Sequence, residues 1–119
     1  VWRMSCLVLK LTDGRFNGIF GGDISSEVEK KLVKEYGDEL SVDFYKANHH
    51  GSRYSSSADW IEALSPRWAA VSCAAENRYG HPADEAMDRL MDAKCRILYT
   101  MQSGQIKYKE STIYENNRQ

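Results

Sequence analysis

Val42-Asp43-Phe44-Tyr45-Lys46-Ala47-Asn48-His49-His50-Gly51-Ser52 begins as a strand and ends as a polar loop. The run 42–47 reads as a short strand, and Asn48 to Tyr54 as the loop it feeds. Downstream, a helix is expected over roughly 57–64, with Trp60, Ile61 and Leu64 inward and Pro66 ending it. Trp68 to Cys73 reads as a buried strand whose outlet is the loop Asn77-Arg78-Tyr79-Gly80-His81-Pro82. A helix from about Ala83 to Asp92 follows, with Met87, Leu90 and Met91 on one face and Pro82 suited to its first turn. Arg96 to Tyr99 and Gln105 to Tyr108 are expected to form a final strand pair joined around Gly104, and the polar tail from Glu115 to fray.

Upstream, residues 4–11 read as a nearly continuous apolar strand of the buried kind. Asp13-Gly14 is a hairpin turn signal, and Phe16 to Phe20 is the returning strand, ending in Gly21-Gly22-Asp23. A helix capped by Ser25 or Ser26 comes next, with Glu27 and Glu29 suited to its positive end and Val28, Leu32 and Val33 on its apolar face, stopping near Gly37. The order β-β-α-β-α-β-α-β-β predicts an α/β sandwich in which helices cover a sheet. Three strands feed polar loops, at Asp23, at His49/His50 and at His81, and strand outlets are where α/β sheets hold ligands.

The 119 residues suit one small domain. The balance of 42% apolar and 28% charged residues is that of a globular protein, and a net charge of −1 lacks the basic footprint of a nonspecific nucleic-acid binder. Cys6, Cys73 and Cys95 are odd in number and show no C-x-x-C spacing, so reduced thiols in a cytoplasmic setting are expected rather than a disulfide framework. No stretch approaches the ~18 apolar residues of a membrane span. The chain opens abruptly inside an apolar run, as a piece of a longer polypeptide or one half of a domain would.

The loops carry the chemistry. Asp23 at a strand end, beside two glycines, can face a metal or merely help to start the next helix. Adjacent histidines on an extended backbone point to opposite sides, so one of His49 and His50 can reach a metal while the other serves substrate or structure. Gly51 allows close approach, and Ser52 offers a hydroxyl to support a ligand. The third loop gathers an amide, a guanidinium, a phenol and an imidazole at the start of a helix, an arrangement that favours an anion such as phosphate.

Gly22-Asp23, then His49-His50-Gly51-Ser52, then Asn77-x-Tyr79-Gly80-His81-Pro82, at these spacings, resembles the metallo-β-lactamase domain of ComEC-type competence proteins. The likeness covers nearly the whole chain and includes the opening Ser5 to Leu9, although Trp2 stands where the family usually has an Asn. The resemblance implies the C-terminal half of an αββα sandwich, spanning residues 1–119, and two divalent ions, Zn or Mn. Asp23 would bridge the metals and His50, just before Gly-Ser, would be a ligand. His49 and His81 would act on substrate or protons, and Ser52, Asn77, Tyr79 and His81 would line the substrate side. The implied activity is metal-dependent hydrolysis of phosphodiesters, of nucleic acid among others, by a metal-activated hydroxide. The family's main motif, His-x-His-x-Asp-His, is absent, so this segment alone should not hold the complete site. The missing ligands are expected from an N-terminal half-domain on the same or another chain. The alternative function is a non-catalytic scaffold or interaction module.

Overall fold

Asp13-Gly14 turns the chain back with Gly14 at φ +58°, and the flanking runs pair as an antiparallel hairpin, β1 (Leu9–Asp13) with β2 (Phe16–Phe20). The computed structural model describes residues 7–73, 80–100, 105–109 and 112–116. After β2 come α1 (Ser26–Tyr36), β3 (Phe44–Lys46), α2 (Ala58–Leu64), β4 (Trp68–Val71), α3 (Asp84–Asp92), β5 (Arg96–Tyr99), β6 (Gln105–Lys109) and β7 (Thr112–Asn116). A 3-10 turn at Gly37–Leu40 leads into β3, and a left-handed turn at Asn48–Gly51 leads out of it.

Five strands form one sheet in the order β1-β2-β3-β4-β5, with β2 to β5 parallel and β1 antiparallel at the edge. This is the expected α/β class: a mixed sheet with covering helices, consistent with half of an αββα sandwich. Each parallel pair is joined through a helix, and right-handed crossovers between sequential neighbours put all three helices on one face. There α1 packs on α2, and α2 on α3. Ile19, Tyr45, Ala69 and Val71 point to that face and meet Ile24, Trp60, Ile61, Leu64, Ala86, Met87 and Leu90 in one core. Trp60, Ile61 and Leu64 are inward as expected.

The opposite face is also apolar. Residues directly paired across strands share a face, and the register aligns Leu9 with Phe20, and Phe44 with both Gly18 and Trp68. The Phe16 and Phe44 rings lie 6.0 Å apart, and Phe20 and Phe44 5.9 Å. Leu9 and Leu11 belong to this face and are about half exposed, at 52% and 48%.

Four sequence expectations change here. The first strand is not buried: all five residues of β1 are exposed, because it is an edge strand whose leucines face away from the helices. The segment 96–99 does not pair with 105–108. β5 is committed to β4 through the α3 crossover, while β6 pairs antiparallel with β7, so residues 112–116 form a strand rather than the start of a frayed tail. On α3 the buried stripe is Ala86, Met87 and Leu90, which leaves Met91 on its rim and exposed.

Truncating the fully buried Trp60 to alanine should cost about 3–5 kcal/mol in urea unfolding. Leu11→Ser on the open face should stay within about 0.5 kcal/mol. A comparable loss for Leu11→Ser would mean that this face is covered in the isolated chain.

Candidate functional site

β2, β3 and β4 run parallel, so their carboxyl ends lie along one edge of the sheet. β2 delivers Gly21-Gly22-Asp23, β3 delivers Asn48 to Ser52, and β4 delivers Ser72; His81 comes to the same edge from the segment before α3. The structure thus gathers Asp23, His49, His50 and His81. The ring centroids of His49 and His81 are 5.4 Å apart, of His50 and His81 6.3 Å, and of His49 and His50 6.5 Å.

The backbone that does this is not extended. His49 (φ 50°, ψ 45°) and His50 (φ 55°, ψ 28°) both adopt the left-handed conformation, and Gly51 follows at φ 81°. Opposite-facing histidines therefore give way to two rings at 60° that both approach His81. A left-handed non-glycine residue costs roughly 1–2 kcal/mol, so the turn must be held from outside. The His49 N–H donates to Gly22 O at 2.7 Å, and Ser52 N–H closes the turn on His49 O at 3.0 Å. Ala83 N–H donates to Gly51 O at 2.8 Å, tying the turn to the start of α3.

Behind the turn lies Glu29, fully buried on α1. Its carboxylate accepts three hydrogen bonds: Asn48 Nδ2 at 2.7 Å, Ser56 N at 2.7 Å and Ser57 N at 2.9 Å. Asn48 N–H donates to Tyr45 Oη at 2.9 Å, and that phenol is also hydrogen-bonded to Ser56 Oγ at 2.8 Å. Burial first, and the nearby Glu29 charge second, push the Tyr45 phenol far above its ordinary value, so it stays neutral. Asn48 is thereby clamped one residue before His49. A Cβ on Gly21 would collide with Asn48 Oδ1, so the first glycine of Gly-Gly-Asp provides room for Asn48, while Gly22, at φ +61°, makes the turn.

His50 is oriented through one ring nitrogen. Its Nδ1 lies 2.7 Å from Ser72 O. A carbonyl only accepts, so Nδ1 carries the proton, and in neutral imidazole Nε2 then presents its lone pair. That Nε2 faces Asp23 Oδ1 at 3.8 Å. Both side chains are about half exposed, so an ion pair here stabilises the fold little. His81 titrates below its ordinary value, through loss of solvation first and the neighbouring His49 and His50 next, partly opposed by Asp23.

The two histidine loops interlock at Gly51, where a Cβ would come within 2.8 Å of Pro82 Cβ and 3.2 Å of Met87 Cε. Pro82 precedes the α3 N-cap, Ala83, rather than occupying the first turn. That first turn carries Asp84 and Glu85, so the helix's positive end is matched by its own carboxylates instead of standing open to an anion. Ser52 is buried, and its Oγ accepts the Tyr54 N–H at 3.2 Å, shaping the loop. Together His49, Ser52, Arg53, Tyr54, His81 and Ala83 line a groove of about 330 Å³.

Asn77 and Tyr79, expected on the substrate side, lie outside the described residues, as does Cys6. Among the described residues no group of three or more His, Cys, Asp or Glu side chains is arranged to hold a metal. Sequence reasoning missed Ser72, whose carbonyl orients His50, and Arg89, which donates to Ser56 O, Ser55 O and Arg53 O from α3. It read Glu29 as a complement to the helix end. The signal for its burial was spacing, since Glu29 stands three and four residues before Leu32 and Val33, on the apolar stripe. Ser25 is the N-cap of α1 but makes no side-chain cap bond.

No protein-family model matches the chain. It is 33% identical over 105 residues to ComE operon protein 3 of Bacillus subtilis, covering 88% of this chain and 13% of that protein. It is also 33% identical over 104 residues to competence protein ComA of Neisseria gonorrhoeae, covering 87% of this chain and 15% of that one. Recombination protein 2 of Haemophilus influenzae is 28% identical over 103 residues, 87% of this chain and 13% of its own length. The likeness is thus to proteins whose names refer to competence and recombination. The chain spans about a seventh of the length of the relatives it matches. Among the described residues no helix is long and apolar enough to cross a membrane.

Removing the Glu29 carboxylate strands two buried donors, Asn48 Nδ2 and Ser56 N–H, at about 1–3 kcal/mol each, and frees the part-buried Ser57 N–H. Glu29→Ala should therefore lower stability by at least about 2 kcal/mol in thermal or urea unfolding, and Glu29→Gln, which keeps the shape, by less. Gly51→Ala should shift the imidazole NMR signals of His49, His50 and His81 together. Unchanged signals in a folded Gly51→Ala protein would mean that the loops do not interlock there.

Proposed function

We propose that the chain forms the C-terminal half of a metallo-β-lactamase-fold hydrolase that cleaves phosphodiester bonds, with nucleic acid as the leading substrate. The observation that carries this reading is the approach of Asp23 Oδ1 to His50 Nε2 with the other ring nitrogen of His50 engaged by Ser72 O. Fixing a ligand imidazole through its second nitrogen is the usual outer-sphere support of a metal site. Two donors about 2.1 Å from one tetrahedral zinc stand about 3.4 Å apart, so the observed 3.8 Å needs a shift of a few tenths of an ångström. Asp23 and His50 fit as two members of a ligand set whose remainder comes from an upstream half-domain on the same or a partner chain.

Zn or Mn ions held there supply an activated water and neutralise charge building on the phosphate. His49 and His81 line the groove beside the two ligands, where they contact the phosphate or move a proton at the leaving oxygen. The apolar sheet face bearing Leu9, Leu11, Phe20 and Phe44 supports the half-sandwich reading, because an αββα architecture stacks a second sheet there. The setting proposed is competence, after the names of the Bacillus and Neisseria relatives. The thiols Cys73 and Cys95 are unpaired, which suits a reducing compartment such as the cytoplasm.

The test is elemental mass spectrometry on the protein joined to its upstream half, purified without chelator, together with hydrolysis of bis(p-nitrophenyl) phosphate. Near two equivalents of Zn or Mn are expected. Asp23→Ala and His50→Ala should lose metal and at least about 100-fold in rate while the protein stays folded. Full activity in a folded Asp23→Ala protein would overturn the proposal. Absence of metal and activity in the joined protein would instead mark the domain as a scaffold.

A further inference from the structure

The segment Gly51-Ser52-Arg53-Tyr54-Ser55-Ser56 alternates between hidden and displayed residues. Gly51, Ser52, Ser55 and Ser56 are buried, whereas Arg53 and Tyr54 are exposed, Tyr54 at 68%. The backbone between them is fastened on every side. Tyr54 O accepts Ser26 N–H at 2.7 Å, and Tyr54 N–H donates to Ser52 Oγ at 3.2 Å. Arg53 O accepts from Arg89 Nη2 at 3.1 Å, and the same guanidinium group donates to Ser55 O at 2.9 Å and Ser56 O at 2.8 Å. Ser55 Oγ donates to Ile24 O at 2.6 Å.

An aromatic ring on a mobile loop would need no explanation. Here the ring stands out from a backbone hydrogen-bonded at Arg53, Tyr54 and Ser55, and it lines the same groove as His49 and His81. The Arg53 guanidinium lies over the Tyr54 ring, 5.8 Å from its centroid, so the cation and the aromatic ring form one unit. A flat ring beside a positive charge, one step from the phosphodiester-cleaving groups, matches a nucleotide: its base stacks on the ring and its phosphate meets the guanidinium. A duplex offers no free base face to such a platform.

We propose that Arg53 and Tyr54 are the substrate-positioning residues of the site, with Tyr54 stacking an unpaired base of a single-stranded nucleic acid and Arg53 holding the adjoining phosphate. This rests on the phosphodiesterase reading for its place in a reaction but is tested by binding alone. The experiment is fluorescence anisotropy with a labelled oligothymidylate of about eight nucleotides, at several salt concentrations and without added metal.

Tyr54→Ala should weaken binding by about 5- to 100-fold and Tyr54→Phe should restore it, because the stacking surface is kept. Arg53→Ala should weaken binding and reduce the slope of log affinity against log salt by about one contact. Neither exposed substitution should move the unfolding midpoint. Wild-type affinity in Tyr54→Ala, no binding by the wild type, or duplex binding as tight as single-strand binding would each overturn the proposal. Metal content and bis(p-nitrophenyl) phosphate hydrolysis, which has no nucleobase to stack, report on the hydrolase reading separately. A protein that holds metal but ignores Tyr54→Ala loses only the positioning claim; one that binds the oligonucleotide through Tyr54 but takes no metal loses only the hydrolase.

Discussion

The buried carboxylate of Glu29 is the point on which the site hangs. Taking a carboxylate out of water costs several kcal/mol even after relaxation, and Glu29 offsets that with three charge-assisted hydrogen bonds. Two of its donors, the N–H groups of Ser56 and Ser57, open α2, and the third belongs to Asn48 at the end of β3. One side chain on α1 therefore fixes where α2 begins and where the His49–His50 turn begins. A neutral residue of the same size would leave donors unmatched, and an apolar one would leave all three without this acceptor, so the geometry selects a carboxylate.

The consequence reaches the chemistry through strain. Two consecutive left-handed histidines are unfavourable in isolation, and the half-exposed Asp23–His50 pair is too weak to hold them. The holding comes from neighbours: Gly22 O in front, Asn48 behind, Ala83 N–H beside. Because these anchors come from the outlet of β2, from β3 and from the start of α3, the imidazoles are set by the fold and not by a ligand. Such preorganisation is what a metal or phosphate site requires, since rings already in place need no reordering when the ligand arrives.

The sequence made the alternation of strands and helices legible because it is a matter of local pattern: apolar runs of strand length, glycine and proline stops, helical spacing at Trp60, Ile61 and Leu64. It also made the three outlets legible, because strand ends followed by Gly-Gly-Asp, His-His-Gly-Ser and His-Pro differ in character from ordinary loops. What escaped was non-local or conformational. A left-handed backbone at His49 and His50 has no signature in those residues, since the bonds that enforce it come from Gly22, Asn48 and Ala83. Ser72 acts through its carbonyl, which every residue carries, so no side chain could advertise it. The exposure of β1 likewise depends on which face the helices take, and a run of leucines reads the same on either.

On the proposed reading, the apolar sheet face and the Asp23–His50 pair are two aspects of one geometry. The face away from the helices carries Leu9, Leu11, Phe20 and Phe44, and its carboxyl edge carries Asp23 and His50. A second sheet stacked about 10 Å away would bury those side chains at about 25 cal/mol per Å² of apolar surface and bring its own loops to the same edge. Burial of the face and completion of the ligand set would then be one event, driven by the hydrophobic term and finished by the metal. Metal affinity and domain stability become linked quantities in that arrangement. On the proposed reading the labour would divide accordingly: this half would bring a histidine edge already set by its own hydrogen bonds, with Glu29 behind it, and the stacked half would bring the remaining donors.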